Sequence, residues 1–434
     1  MPPKPLPGFR DFYPEQFAER SYVFDTWRRV VRRYAFVEYD GPPLEPLDLY
    51  TQKSGDEIVG QLYHFLDKGE RAVAMRPEMT PTFARMVAAR AQALRKPVRW
   101  FAIPQLFRYE RMQKGRLREH FQLNVDIVGE ASVLADAELL SCAIDIMRAF
   151  GLSPDDVCAR VSDRRLLNGL LEHVGIDVVA WPAVYAVLDK LDRQPAEVST
   201  EKLAAAGLAP DLVTLVLGFG ALDFETLRAR YGSAPLVQEH VARFGEFLGH
   251  ATALGVAPWI RFDLTIVRGL AYYTGIVFEL FDLKGDFRAI CGGGRYDALL
   301  ASLGGVDLPA LGFGMGDVVL AELLRARGLM PAMTKPIDYW VMHTDDASAA
   351  SPALLALARA LRERGCAVEY ALRPMTRDKQ LRTAEKAGVA HVAMLLSGGA
   401  DAPPEGQVRV ISFSANSDRT MSVPAFLNEQ QANG

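Results

Sequence analysis

Trp100-Phe-Ala-Ile-Pro-Gln-Leu-Phe-Arg-Tyr-Glu-Arg-Met-Gln-Lys-Gly-Arg-Leu-Arg-Glu-His-Phe-Gln-Leu-Asn-Val-Asp126 is the stretch that decides the fold. It reads as two strands joined by a loop too basic and too long for a simple hairpin turn. In the second strand Phe121, Leu123, Val125 and Ile127 share one face, because strand side chains alternate with period two. Gln122, Asn124 and Asp126 share the other. Arg108, Arg111, Lys114, Arg116 and Arg118 precede that polar row, so a cationic loop overhangs amides and a carboxylate. A substrate with a phosphate at one end and an amine or heterocycle at the other would suit it. Charge pattern alone equally allows a solvated hairpin, with surface ion pairs worth ~0–1 kcal/mol each.

Working outward, Gln16 to Arg33 has apolar residues at helical spacing, among them Tyr22, Val23, Trp27, Val30 and Val31. Thr80 to Leu94 reads as a helix with Pro81 in its first turn, and Ala135 to Phe150 as another. From about 160 to 250 the chain breaks into short helical patterns at Gly207, Pro210, Gly218 and Gly232. Strand-like runs resume at Trp259–Leu264 and Gly275–Phe281. Gly312-Phe-Gly-Met-Gly316 reads as a turn into a helix through Arg325. Beyond a linker with Gly328, Pro331 and Pro336, strands and helices alternate, which argues for a small α/β domain with a largely parallel sheet. Thr376 is the expected cap of its second helix, and only residues from Asn428 onward look disordered.

With 434 residues, 50% of them hydrophobic and 24% charged, the chain is an ordinary globular protein of two to three domains. A net charge of −4 means any RNA partner must be met by local basic patches. Four cysteines lack CxxC spacing and seven histidines are dispersed, so no metal site is expected. No apolar run approaches the ~20 residues that span a bilayer, and no signal-peptide core opens the chain. The expectation is a cytoplasmic protein without membrane contact.

Five blocks carry a resemblance. Phe107-Arg-Tyr-Glu110, the loop and Phe121-Gln-Leu123 resemble motif 2 of class II aminoacyl-tRNA synthetases, in wording close to the histidyl-tRNA synthetase family. Val267-Arg-Gly-Leu-Ala-Tyr-Tyr-Thr-Gly-Ile-Val-Phe-Glu279, followed by Cys291-Gly-Gly-Gly-Arg-Tyr-Asp297, is similar to that family's histidine-specific signature. Arg76-Pro-Glu-Met-Thr-Pro81 is similar to its amino-acid-binding segment, and Pro7-Gly-Phe-Arg-Asp-Phe-Tyr-Pro14 to its opening. Tyr34-Ala-Phe-Val-Glu-Tyr-Asp-Gly-Pro-Pro-Leu-Glu45 resembles motif 1, which lies at the dimer interface.

The resemblance implies an α+β catalytic core of the class II synthetase fold, an antiparallel sheet flanked by helices, over residues 1–160 and 251–328. It further implies a helical insertion over 161–250 and an anticodon-binding α/β domain over 335–428. The implied activity is a histidine–tRNA ligase, with L-histidine, ATP and tRNA(His) as partners, working as a homodimer. ATP enters as substrate, with Mg2+ bound mainly through its phosphates.

A guanidinium fork grips phosphate oxygens bidentately, and the resemblance gives that task at the α-phosphate to Arg108. Glu110 would orient Arg108 or meet the adenine, and Arg116 would reach the distal phosphates. Arg268 would bridge the substrate carboxylate and the α-phosphate, the second catalytic cation. Glu78, Thr80 and Gln122 are expected at the α-amino group, and Asp126 and Tyr273 at the ring, with Tyr272 beside them. A neutral imidazole offers one donor and one acceptor, which a carboxylate and a phenol satisfy.

One departure stands out. Where bacterial members end motif 3 in Gly-Leu-Glu-Arg-Leu, this chain has Gly316-Asp-Val-Val-Leu320, so the adenine-side arginine is Val319. Plant organellar-type members look similar there. Asp317 becomes a candidate hydrogen-bond partner for the nucleotide, and Arg295 or Arg288 the compensating cation. The rival reading is the non-catalytic regulatory subunit of ATP phosphoribosyltransferase, which resembles this core. That paralogue lacks the anticodon-binding domain and erodes the arginine–tyrosine block; both are present here.

Overall fold

The computed structural model describes residues 4–51, 60–111, 115, 117–267, 272–285, 287, 289–332, 337–344, 351–396, 406–413 and 417–430. Two compact units divide the chain, residues 1–331 and 332–434.

The strands of the first unit are β1 (Val37–Glu38), β2 (Leu44–Pro46), β3 (His64–Leu66), β4 (Ala72–Met75), β5 (Val98–Ala102) and β6 (Gln105–Phe107). They continue with β7 (Glu119–Val128), β8 (Val157–Asp163), β9 (Ile260–Phe262), β10 (Ile276–Asp282), β11 (Cys291–Arg295) and β12 (Ala310–Gly316). Among the described residues one sheet runs β1-β5-β7-β12-β11-β10-β8-β9, with β6 also paired to β7, and a smaller one runs β2-β4-β3. Only the β1–β5 and β8–β9 pairs are parallel in the large sheet. This is the α+β architecture the sequence led to.

The ten-residue β7 sits near the middle, and its alternation is the hinge of the fold. Leu123, Val125 and Ile127 are fully buried in the main apolar core. Against that face lie the helices Pro14–Arg33, with Val23, Trp27, Val30 and Val31 buried, and Val133–Ala149. The first helix opens on Pro14, whose missing N–H is harmless in the first turn. Helix Thr80–Arg90 is shorter than expected, because the Ala91 amide turns back three residues to the Ala88 carbonyl and breaks the helical ladder.

The Gly312–Gly316 run is no turn; it forms most of β12, paired with β7 and β11. A Cβ on Gly312 would come within 2.1 Å of Asp126 Oδ1, and one on Gly314 within 2.8 Å of the Gln122 side chain. Glycine is needed here for close approach across the sheet, not for chain reversal.

Residues 161–163 still belong to β8, and the helical segment opens at Arg164, where the Asp163 side chain accepts from the Arg165 amide. Short helices follow up to Gln238–Ala253, whose Phe244 and Phe247 join the main core.

The second unit holds β13 (Tyr339–His343), β14 (Val368–Glu369), β15 (His391–Leu395), β16 (Gln407–Ser412) and β17 (Ser417–Ser422), ordered β14-β13-β15-β16-β17. Its sheet is mixed rather than largely parallel: β13 pairs in parallel with β14 and β15, whereas β15–β16 and β16–β17 are antiparallel. Thr376 begins helix Arg377–Lys386 without a side-chain capping bond; Ser351 and Ser422 provide such bonds to their own helices instead. A helix over Val423–Glu429 takes in residues expected to be disordered. Among the described residues no helix is long and apolar enough to cross a membrane.

Candidate active site

The polar face of β7 does not meet open water. Gln122, Asn124 and Asp126 line a cleft of about 80 Å³ together with Glu78, Thr80, Arg108, Tyr272, Tyr273 and Tyr296. Gly292, Gly312, Phe313 and Gly314 form the rest of its wall, so the bare strands β11 and β12 leave the space that side chains would fill.

Each wall is braced from behind. Glu78 and Thr80 lead into helix Thr80–Arg90, and the buried Arg76 fixes that approach. Arg76 Nη1 donates to Asp40 (2.8 Å) and to the Gly41 carbonyl (2.7 Å), and its Nε to the Gln105 carbonyl (3.0 Å). Arg108 follows β6 and donates from Nε to the Pro77 carbonyl at 2.9 Å, next to Glu78. Tyr272 and Tyr273 lie just ahead of β10, with ring centres 5.0 Å apart, and Tyr296 follows β11 with its ring 5.8 Å from that of Tyr272.

Asp126 is 4% exposed and takes a hydrogen bond from the Tyr296 hydroxyl. Burial pushes its carboxyl up to about 7, with the Tyr296 bond opposing that rise. The Tyr296 phenol is itself driven well above its ordinary range, first by burial and then by the neighbouring Asp126 charge.

A second cavity, of about 160 Å³, adjoins the first. It is lined by Arg108, Glu110, Gly115, Leu117, His120, Gly316, Val318 and Val319. Arg108 belongs to both cavities, and the Glu110 carboxylate stands 4.0 Å from its Nη1. His120 is pushed down to about 3, first by burial and then by the Arg108 and Arg10 charges, so its ring is neutral at pH 7. Val319 stands in the wall.

Asp317, the expected hydrogen-bond partner of the nucleotide, and Arg295, an expected compensating cation, are both committed elsewhere. Asp317 accepts from the Phe121 amide (2.9 Å) and from Arg10 Nη1 (2.9 Å), so it clasps the N-terminal segment to β7 and to helix Asp317–Ala326. Arg295 is 1% exposed and donates to Asp136 (2.6 Å) and to the carbonyls of Glu130 (2.9 Å) and Ser132 (3.1 Å). A guanidinium so desolvated needs its carboxylate and cannot also serve a nucleotide. Arg268, Arg116 and Arg288 lie outside the described residues.

The expected residues Glu78, Thr80, Gln122, Asp126, Tyr272 and Tyr273 thus share one cleft, and Arg108 joins it to the cavity holding Glu110. The sequence reading missed Tyr296 and His120, and placed Asn124 on the right face without giving it a part. Tyr296 stands inside the quoted Cys291–Asp297 block, which was the available signal. A larger cavity of about 330 Å³, between helices Pro14–Arg33 and Asp317–Ala326, is lined by Asp317 but by none of the residues expected at the histidine or the phosphates. Among the described residues no three His, Cys, Asp or Glu side chains are grouped to hold a metal ion.

The mostly antiparallel sheet flanked by helices, with a polar cleft on its central strands, matches the class II aminoacyl-tRNA synthetase fold. The histidyl-tRNA synthetase family model matches residues 8–317, and the chain belongs to that family. It is 46% identical to the histidine–tRNA ligase of Opitutus terrae, with 88% of each chain covered. It is 41% identical to the chloroplastic/mitochondrial histidine–tRNA ligase of Arabidopsis thaliana, over 86% of this chain and 75% of that one. A histidyl-tRNA synthetase structure from Nostoc sp. PCC 7120 shares the fold, with a TM-score of 0.84 over the full length of both chains at 22% identity.

Proposed function

We propose that the protein is a histidine–tRNA ligase. The histidine carboxylate attacks the α-phosphorus of ATP, the bond to the bridging oxygen breaks, and pyrophosphate leaves histidyl-adenylate behind. The histidyl group then passes to the 3′-terminal adenosine of tRNA(His). The observation that carries this reading is Arg108, a cation in the wall common to a polar cleft and a second cavity. Two anionic reactants repel each other, and a preorganised cation between them lowers that barrier.

In the cleft, Glu78, Thr80 and Gln122 take the α-amino group, while Asp126 and Tyr273 take the ring, with Tyr272 alongside. Tyr296, already bonded to Asp126, orients that carboxylate. In the second cavity Arg108 holds the α-phosphate, Glu110 orients Arg108, and Arg116 serves the distal phosphates. Arg268 is the second cation at the reacting centre. With Val319 in place of an arginine, more of the nucleotide's charge falls to Arg108 and Arg116. Mg2+ arrives with ATP, bound through its phosphates, and neutralises them. The Gly316-Asp317 pair is a subgroup trait shared with plant organellar-type members, a reading supported by the identity to the Arabidopsis enzyme.

The second unit acts at the anticodon. Arg373, Lys379, Arg382 and Lys386 are exposed on and before helix Arg377–Lys386, which supports phosphate contact there. The working form is a cytoplasmic homodimer joined through the motif 1 region, Tyr34–Glu45. Purified protein should catalyse histidine-dependent ATP–pyrophosphate exchange and charge tRNA(His). Histidine binding without either activity would favour the regulatory-subunit reading instead.

Asp126 gives the site a pH dependence. Its carboxyl ionises at about 7 in the free protein, and only the ionised form accepts fully from the ring N–H. Lowering the pH through 7 protonates it, so KM for histidine should rise as pH falls from about 8 to about 6. Asp126→Asn should bind more weakly and lose most of that slope, leaving the ring's own titration near 6.5. An unchanged slope in the variant would assign the titration to another group.

A further inference from the structure

The connection from β9 to β10, which carries Tyr272 and Tyr273, is held at both ends by one short piece of chain. Before it, Ser162 Oγ donates to the Ile266 carbonyl at 2.6 Å, and Arg164 Nη1 to the Val267 carbonyl at 2.9 Å. After it, the Arg164 amide donates to the Gly275 carbonyl at 2.9 Å, and Arg165 Nε to the Thr274 carbonyl at 3.1 Å. Arg165 Nη2 also meets Asp297 Oδ2 at 2.8 Å, and the Asp297 amide donates to Thr274 Oγ1 at 3.1 Å. The clamp therefore consists of the end of β8 and the first turn of helix Arg164–His173.

Arg164 is the unusual member. Among the described residues no carboxylate acts on it; burial and the Tyr185 phenol are what shift it. Its guanidinium lies 3.8 Å from the ring centre of Tyr185, on helix Trp181–Leu188, and Tyr185 in turn donates to Asn168. Burial lowers the affinity of Arg164 for its proton. A part-buried cation without a counter-carboxylate is a poor way to stabilise a fold. Among the described residues its side-chain hydrogen bond goes to the Val267 carbonyl, which points to placement of the chain at Val267 as its task.

We propose that Arg164 and Arg165 are positioning residues for the amino-acid site, holding both ends of the connection so that Tyr272 and Tyr273 face the cleft. Through Tyr185 and Asn168 they also tie that placement to the helical segment. This rests on the cleft being the histidine site.

The test is steady-state exchange kinetics on full-length Arg164→Ala, Arg165→Ala and Arg165→Lys, with histidine and ATP varied in turn. Each alanine variant should raise KM for histidine about tenfold, the scale of one lost charge-assisted hydrogen bond, and leave KM for ATP within about twofold. Arg165→Lys keeps the charge but not the fork, and should recover part of the loss. Should an alanine variant not fold, Arg165→Lys carries the test through the same selective rise, at about threefold. KM values for histidine and ATP that both stay at the parent level, or that move together, would overturn the proposal. Failure of the parent protein itself to bind histidine would instead remove the reading on which the clamp rests, and the clamp's role with it.

Discussion

Replacing Arg108 by alanine should lower histidine-dependent ATP–pyrophosphate exchange by about two to three orders of magnitude. That is the usual loss when one preorganised group facing developing charge is removed. Arg108 stands between the two cavities, and its Nε–H bond to the Pro77 carbonyl aims the rest of the guanidinium into them. Arg108→Lys should recover little, because an ammonium is a point charge on one nitrogen and lacks the planar fork whose Nε holds the Pro77 carbonyl while its other nitrogens grip phosphate oxygens. The loss should fall on turnover rather than on folding: one bond at a part-exposed site contributes about 1–2 kcal/mol to stability. Thermal unfolding measured beside the exchange assay separates the two. Near-parent exchange in a folded Arg108→Ala protein would remove the residue from the reaction.

The largest stability effect is expected at Arg295. Both it and Asp136 are almost wholly buried, joined at 2.6 Å. Removing Arg295 leaves the Asp136 charge unpaired in the core, and removing Asp136 leaves Arg295 only its longer contact with Asp297 at 3.3 Å, so Arg295→Met should cost about 3–5 kcal/mol and Asp136→Leu somewhat less. The double substitution removes both charges and should restore much of that loss, although the carbonyls of Glu130 and Ser132 keep no donor. Denaturant unfolding of the four proteins gives the coupling directly. Additive losses in the double variant would show that the pair is not the source of the stability. Because the Arg295 carbonyl accepts from the Thr274 amide at 2.8 Å, the single variants should also weaken histidine binding.

How much of this was legible beforehand follows from distance along the chain. The alternation from Phe121 to Ile127 is local, and it correctly separated the core face of β7 from the face that lines the cleft. The helix over Pro14–Arg33 was equally local. The glycines of β12 misled, because a glycine run signals a turn until the residues opposite it are known; Asp126 and Gln122 supply the reason only across the sheet. Asp317 looked free for a nucleotide since Arg10, its partner, lies 307 residues earlier. Tyr296 was passed over for a like reason, its bond partner Asp126 being 170 residues away. In the second unit, Ser417–Ser422 carries no apolar alternation and so gave no strand signal, although it closes the sheet edge. Long-range partners, not local propensity, account for the differences.

The most direct measurement is a single turnover. Purified protein in excess over labelled histidine is mixed with ATP and Mg2+ without tRNA, then quenched in acid and assayed for histidyl-adenylate. Two adjoining cavities with Arg108 between them predict a rapid burst of adenylate approaching one per histidine bound, absent in Arg108→Ala. Histidine retained on the protein with no adenylate formed would contradict the assignment of the two cavities to the two reactants.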